Sequence, residues 1–337
     1  MKKILLLATG GTIACKSTEN GLSPLMSSEE LVSFVPKSKE FCTVDTIQLM
    51  NIDSTNMHPD CWLKIASTIE SAYSDYDGFV IAHGTDTMAY TASALSYLIQ
   101  SSPKPIVITG SQRPMEMDMT DAKANLMDSL RYACFDEGSG VVVVFGGKVI
   151  MGTRARKMNT KSYDAFSSIN YPAVAVIHDR GIIQYIQPVS KNSTPVFYHR
   201  MDPHIFVLKL IPGVSAQILK LAAESYDAFV LESYGVGGIP EGDQYDFHDV
   251  IEYLIHEGKT IVLTTQAIFE GSDIAVYHSG NLAKNECGVM ESYDMTLEST
   301  VTKLMWILGR TRDPELIRKM FNTTIANDML SQEFIKS

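Results

Sequence analysis

Short runs of aliphatic and β-branched residues alternate along this chain with stretches whose apolar residues recur at helical spacing. That alternation is the pattern of parallel sheets built from βαβ units. Ile4 to Ala8 forms the first run. Trp62, Ile65, Ala66, Ile69 and Tyr73 then mark a helix face, and GFVIA (Gly78 to Ala82) follows as a compact buried strand. A helix from about Tyr90 to Ile99 ends before Pro103 and Pro105, which launch the strand IVIT. Leu126, Met127, Leu130, Ala133 and Cys134 form the next helix face, ahead of VVVVF (Val141 to Phe145) and AVAVI (Ala173 to Ile177). The period is then lost in a stretch rich in Pro, Ser and Asn. It resumes with IFVLKLI, a helix through Ile218 and Leu221, AFVLES, a helix through Val250 and Leu254, and TIVLTT. Leu304, Trp306 and Leu308 mark a late helix, and the tail past Pro314 reads as one more. The pattern predicts an α/β protein of two domains, each a mainly parallel sheet flanked by helices: residues 1–186, a linker over 187–204, and a smaller domain over 205–337. A length of 337 residues agrees, because single cores stop growing below it.

Composition excludes several classes of partner. A net charge of -11, with no long Lys/Arg run, disfavours nucleic acid and anionic membrane, either of which needs a concentrated basic face. Five scattered cysteines without a C-x-x-C pair signal neither a disulfide framework nor a zinc cage, and they read as buried thiols in a reducing compartment. Lys2 and Lys3 ahead of Ile4 to Ala8 imitate a secretory signal, but the apolar run is too short and Thr9 and two glycines interrupt it. The segment reads as the first strand of a cytoplasmic protein. No apolar stretch is long enough to span a membrane.

In open α/β sheets, ligands sit beyond the carboxyl ends of the strands. Strand one delivers Thr9-Gly10-Gly11-Thr12, GFVIA delivers His83-Gly84-Thr85-Asp86-Thr87, IVIT delivers Gly110-Ser111-Gln112, and AFVLES delivers Tyr234-Gly235-Val236-Gly237-Gly238. These turns fit neither the P-loop nor the dinucleotide fingerprint, and the chain has no H-E-x-x-H, EF-hand or G-x-S-x-G pattern. No metal and no cofactor are therefore expected. What is left is a threonine hydroxyl, a weak nucleophile until a neighbouring base takes its proton. HGTDTM sets a hydroxyl beside a carboxylate, and a lysine desolvated in a cleft can complete a relay. Lys157 is a candidate, beside Arg154, Arg156 and Lys161, but spacing alone does not select it. On the residues alone, Thr12 or Thr85 is the nucleophile, against the plainer reading of strand-end hydroxyls that cap the next helix.

ATGGTIA near the N-terminus and HGTDTMAYTASALS about seventy residues later resemble, in order and separation, the two signature motifs of the L-asparaginase family, bacterial type I (cytoplasmic) branch. The resemblance runs on through IDSTNM, VITGSQ, KSYDAF, ESYGVGG and LTTQ. It implies an asparaginase-like fold with a Rossmann-like C-terminal domain, and hydrolysis of L-asparagine to L-aspartate and ammonia without metal or cofactor. By this resemblance Thr12 forms the acyl-enzyme, and Thr85, Asp86 and Lys157 complete the catalytic group. Asp53, Ser54 and Thr55 hold the α-amino and α-carboxylate groups of the substrate. Gly10, Gly11 and Gly84 let main chain approach closely and offer N–H groups to the oxyanion. A homodimer or homotetramer is implied as well, with the C-terminal domain closing the site across a subunit interface.

Departures from the family pattern qualify this. Leu22 stands where many members carry a loop tyrosine that helps move a proton, and one ordered water or a neighbouring hydroxyl is the expected bridge. Gly238 replaces an asparagine that reaches a neighbouring active site. Glu232 and Ala267 stand in the places of an effector pocket's arginine and cysteine, which argues against allosteric control by asparagine. Of the other polar residues, His83 is expected to shape its turn, and Ser111 and Gln112 to contact substrate or form a turn. Arg154 and Arg156 are expected as a solvated or intersubunit pair, and Tyr234 either lines the cleft or packs. Two rivals stand beside the main reading: an amidotransferase component that releases ammonia from glutamine, and an amino-acid-binding sensor without catalysis.

Overall fold

The computed structural model describes residues 1–18, 21–242, 247–276, 281, 284 and 287–330. These form two compact units, Met1–His199 with Ile325–Asn327, and Arg200–Thr324 with residues 328–330.

The first unit is built on an eight-stranded sheet. In spatial order its strands are β13 (Gly181–Gln184), β12 (Ala175–His178), β9 (Lys148–Met151), β8 (Gly140–Phe145), β7 (Pro105–Thr109), β5 (Gly78–Ala82), β1 (Lys2–Gly10) and β4 (Cys42–Ile52). The five from β8 to β4 run parallel. They are joined through α1 (Ser28–Ser33), α2 (Pro59–Ala72), α3 (Met88–Leu98) and α4 (Ala122–Ala133). Strands β1, β5, β7 and β8 are aliphatic and buried on both faces, as the crossover helices require. β8 turns back into β9 through Gly146 and Gly147, both at positive φ, a two-residue hairpin whose twist suits antiparallel pairing. β12 and β13 continue that antiparallel edge.

Within the parallel set the spatial order is second, first, third, fourth, fifth in the chain. The strand order therefore reverses between β1 and β5, and the crevice at their carboxyl ends is the switch point where such sheets bind ligands.

Small pairings complete this unit: the hairpin β2 (Cys15–Thr18) with β3 (Gly21–Pro24), β10 (Ala155–Lys157) with β11 (Phe166–Ser168), and β6 (Ile99–Gln100) with β14 (Val196–Phe197). Leu22 sits on β3 opposite Ser17, and its side chain lies outside the described residues. The stretch expected as a linker is thus partly bound into this unit. Besides the β14 pairing, Ser139 Oγ donates to the Val189 carbonyl at 2.9 Å, and Lys191 Nζ donates to the carbonyls of Pro103 and Gly138. Such isolated side-chain and main-chain bonds leave no apolar period to read.

The second unit carries a four-stranded parallel sheet, β15 (Ile205–Lys209), β16 (Ala228–Ser233), β17 (Thr260–Thr265) and β18 (Met290–Glu291), in that order. Leu219, Phe229, Leu231, Ile251, Leu254 and Leu263 lie in its core. Lys303, in the helix Leu297–Leu308, pairs with Asp328 at 2.7 Å with both side chains fully buried, and also donates to the Thr323 carbonyl. Among the described residues no helix is long and apolar enough to cross a membrane.

Candidate active site

Three strand ends converge at the switch point, and glycine makes the convergence possible. Gly11 has φ 74°, and a Cβ there would lie 2.2 Å from the Gly84 Cα. A Cβ on Gly84 would lie 2.6 Å from Ser54 Oγ, and one on Gly10 would lie 2.4 Å from the Ile52 carbonyl oxygen. The turns after β1, β4 and β5 therefore touch main chain to main chain, with Thr12 and Thr85 each one residue beyond the contact.

Thr12 opens a 3-10 turn, Thr12–Ala14. The Gly11 carbonyl closes it by accepting from Ala14 N at 3.0 Å and from the Cys15 thiol at 3.4 Å. Gly11 N–H donates to the Ile52 carbonyl at 3.0 Å, which corrects the expectation that this N–H serves an oxyanion. Strand β1 needs that bond to hold its last residue against β4.

At the end of β4, one Asp53 carboxylate oxygen accepts from Thr55 N at 2.9 Å and from Thr55 Oγ1 at 3.0 Å, capping a short turn. Asp53 and Thr55 are exposed, whereas Ser54 is buried against Gly84. Thr87 Oγ1 donates to the Ser54 carbonyl at 2.7 Å and ties this turn to the next.

Lys157, at the end of β10, reaches the turn after β5. Its Nζ donates to Thr85 Oγ1 at 2.8 Å and to Asp86 Oδ1 at 2.7 Å. Thr85 is 5% exposed, while the Asp86 side chain is 58% exposed and the Lys157 side chain 18%. The group thus runs from a buried hydroxyl to a solvent-facing acid. Thr85 Oγ1 in turn donates to Gln112 Oε1 at 3.4 Å.

His83 shapes the turn, as expected. It is fully buried, and its Nδ1 lies 2.6 Å from the Gly84 carbonyl, an acceptor only, so Nδ1 carries the proton. Nε2 then accepts from Thr91 Oγ1 at 2.9 Å, and Thr91 accepts from Trp62 Nε1 at 3.0 Å. Burial pulls the pKa of His83 down to about 4, against a smaller opposing effect of the bond to Gly84, so the ring is neutral at ordinary pH.

Other residues fall differently. Ser111 is a turn residue, its hydroxyl donated to the Arg113 carbonyl. Arg154 is not solvated: it is fully buried, Nε donates to the Asn327 carbonyl at 2.6 Å, and the guanidinium lies over the Tyr171 ring. Those partners come from distant segments, which sequence spacing does not reveal. Tyr234 and Gly238 close one turn through a Gly238 N–H bond to the Tyr234 carbonyl at 2.8 Å. Asp121 and Asn125 escaped the sequence reading. The Asp121 carboxylate accepts from Gln112 N and Arg113 N, and Asn125 Nδ2 donates to the Gly110 carbonyl at 3.0 Å. Two buried polar residues four apart beside the apolar face of α4 were the available signal.

One group of described residues has donors placed as for a metal ion: Asp202, His204 and Asp227, in the second unit. Arg312 and Lys259 already pair with its two acids.

A family model described as "Asparaginase, N-terminal" matches residues 3–190, and one described as "Glutaminase/Asparaginase C-terminal domain" matches residues 204–321. The chain belongs to the asparaginase family. It is 39% identical to an L-asparaginase of Thermococcus kodakarensis, over 97% of this chain and 99% of that protein. The solved structure of the thermostable L-asparaginase from that organism superposes with a TM-score of 0.93, covering 98% of this chain and 100% of that one. L-asparaginase I from Vibrio cholerae gives a TM-score of 0.83 at 28% identity, covering 98% and 99%. A glutamyl-tRNA(Gln) amidotransferase component of Pyrococcus abyssi is 34% identical over 98% of this chain and 77% of its own length.

Proposed function

We propose that this asparaginase-family chain hydrolyses L-asparagine to L-aspartate and ammonia, with Thr12 as nucleophile and Thr85, Asp86 and Lys157 moving protons around it. The observation that carries the reading is the Lys157 ammonium bonded at once to Thr85 and Asp86, in the turn that touches the Thr12 turn. Because Lys157 already occupies the Thr85 oxygen, that hydroxyl suits a relay, and Thr12 is the attacking oxygen.

Asparagine is a small zwitterion, so its site needs an acceptor for ammonium and donors for carboxylate. Asp53 and Asp86 supply the first, and the Ser54 hydroxyl with nearby main-chain N–H groups supplies the second. Thr55 steadies the Asp53 carboxylate, and Gly11 lets the Thr12 turn lie against Gly84. The Thr12 oxygen bonds to the side-chain amide carbon, its proton passes to the relay, the C–N bond breaks, and the nitrogen leaves as ammonia after taking a proton. Water then attacks the threonine ester, its proton passes through Thr85 to Lys157 once Lys157 has handed a proton to Asp86, and the Thr12 oxygen takes a proton back as aspartate departs. Each main-chain N–H aimed at the oxyanion would contribute about 3 to 4 kcal/mol. The reading needs no metal or cofactor, and it carries with it a cytoplasmic location and a homodimer or homotetramer.

Thr12→Ala tests it. Ammonia release from asparagine should fall by several orders of magnitude while the fold, read by circular dichroism, is unchanged; near-normal release removes Thr12 from the mechanism. The similarity to the amidotransferase component favours one second reading, a glutamine-hydrolysing amidase. Glutamine turnover exceeding asparagine turnover would establish it, and binding of either amide without ammonia would point to a sensor.

A further inference from the structure

The hydrogen atoms around Thr85 can be placed from donor chemistry alone. An ammonium has donors and no acceptor, so Thr85 Oγ1 accepts from Lys157, and its own proton points elsewhere. The recorded partner is Gln112 Oε1. The amide cannot be flipped, because Gln112 Nε2 lies 3.2 Å from the Asn159 carbonyl and 3.0 Å from the Ser162 carbonyl, both acceptors only. These carbonyls belong to the loop that leaves β10 just after Lys157 and is closed by Met158 N donating to the Ala165 carbonyl at 2.7 Å.

The Gln112 backbone is itself immobilised. Its N–H lies 2.9 Å and 3.1 Å from the two Asp121 carboxylate oxygens, and Asn125 Nδ2 bridges Asp121 to the Gly110 carbonyl. Asp121 and Asn125 are both buried, so the whole turn is fixed to α4.

We propose that Gln112 is a positioning residue of the relay: its amide oxygen holds the Thr85 proton while Lys157 is charged, and its amide nitrogen pins the loop behind Lys157. This rests on the catalytic reading of Thr85 and Lys157 given above. When Lys157 has passed a proton to the Asp86 carboxylate bonded to it, its nitrogen lone pair becomes the better acceptor, and the Thr85 hydroxyl turns from Gln112 to Lys157. The contact to Gln112 is the longest of the set at 3.4 Å, so it directs the proton yet is surrendered with little penalty. Thr85 then has a lone pair to accept a proton from the attacking group as it passes its own to Lys157. Gln112 touches no substrate atom in this scheme, and it has released the Thr85 proton before that proton moves to Lys157.

Two variants and a structure test it. Gln112→Met keeps the length and removes both functions; kcat for asparagine should fall about tenfold with KM within about twofold of the parent. Gln112→Glu keeps an acceptor for Thr85 and loses both donors, so it should recover part of the lost kcat. A Met variant with parental kcat, or one whose loss lies in KM alone, overturns the proposal. A crystal structure of the Met variant should show residues 159–162 displaced and the Lys157–Thr85 bond lengthened; superposition of both on the parent overturns it. If the parent releases no ammonia, the catalytic reading fails, and that crystal structure still decides whether Gln112 positions Lys157.

Discussion

Acid should destabilise the N-terminal unit through His83. The ring is fully buried, with Nδ1–H donated to the Gly84 carbonyl and Nε2 accepting from Thr91. Burial lowers its pKa from 6.5 to about 4. The unfolded chain therefore binds this proton first as pH falls, and the folded state follows only near pH 4. Stability contributed by the neutral ring is complete above about pH 6.5, declines as pH drops below it, and stops declining once both states are protonated below about pH 4. The gap of roughly 2.5 pH units corresponds to about 3 kcal/mol, undiscounted because no solvent reaches the ring. Carboxylates also titrate in this range, so the measurement is a difference. His83→Asn keeps a donor near the Nδ1 position and removes the titration. Urea unfolding followed by Trp62 emission, in a Trp306→Phe background, gives the stability of each protein from pH 7 to pH 4. The parent should lose about 3 kcal/mol more than the variant across that interval. Parallel stability curves for the two proteins would refute the burial argument.

Two further outcomes follow from packing and charge. Gly11→Ala sets a Cβ 2.2 Å from the Gly84 Cα at a left-handed φ; the turns must part, and the variant should lose activity and about 2 kcal/mol or more of stability, measured by ammonia release and urea unfolding. Lys303→Met leaves the Asp328 carboxylate buried without its cation and should lower the stability of the C-terminal unit by about 3 to 5 kcal/mol, and Lys303→Met with Asp328→Leu should recover most of it, read by denaturant melts.

Strands β1, β5, β7 and β8 were legible because strands buried on both faces are continuous aliphatic runs; β4 was not read, since most of its residues are half-buried or exposed, and alternation alone does not set the spatial order. The antiparallel edge was harder. β12 was readable in AVAVI, whereas β9 and β13, four residues each, are too short for alternation to register, although Gly146-Gly147 is a recognisable hairpin turn. Thr12, Thr85 and Asp86 stood out as polar residues at strand ends. Lys157 did not, because 72 residues separate it from Thr85 and the packing of β10 against α3 that brings them together is not written in local spacing. Resemblance to a family selected it where spacing left it one cation among four. Gln112 stayed ambiguous for a similar reason: its partners Asn159 and Ser162 lie 47 and 50 residues away. Arg154 misled because a partner such as the Asn327 carbonyl lies 173 residues away.

The central claim is that the Thr12 oxygen forms a covalent bond with the amide carbon of the substrate. Rapid acid quench of the protein during turnover of asparagine, followed by proteolysis and mass spectrometry, tests it most directly. An aspartyl ester on the peptide that carries Thr12, absent from Thr12→Ala, is the expected result; an ester on Thr85, or steady ammonia release from Thr12→Ala, contradicts it.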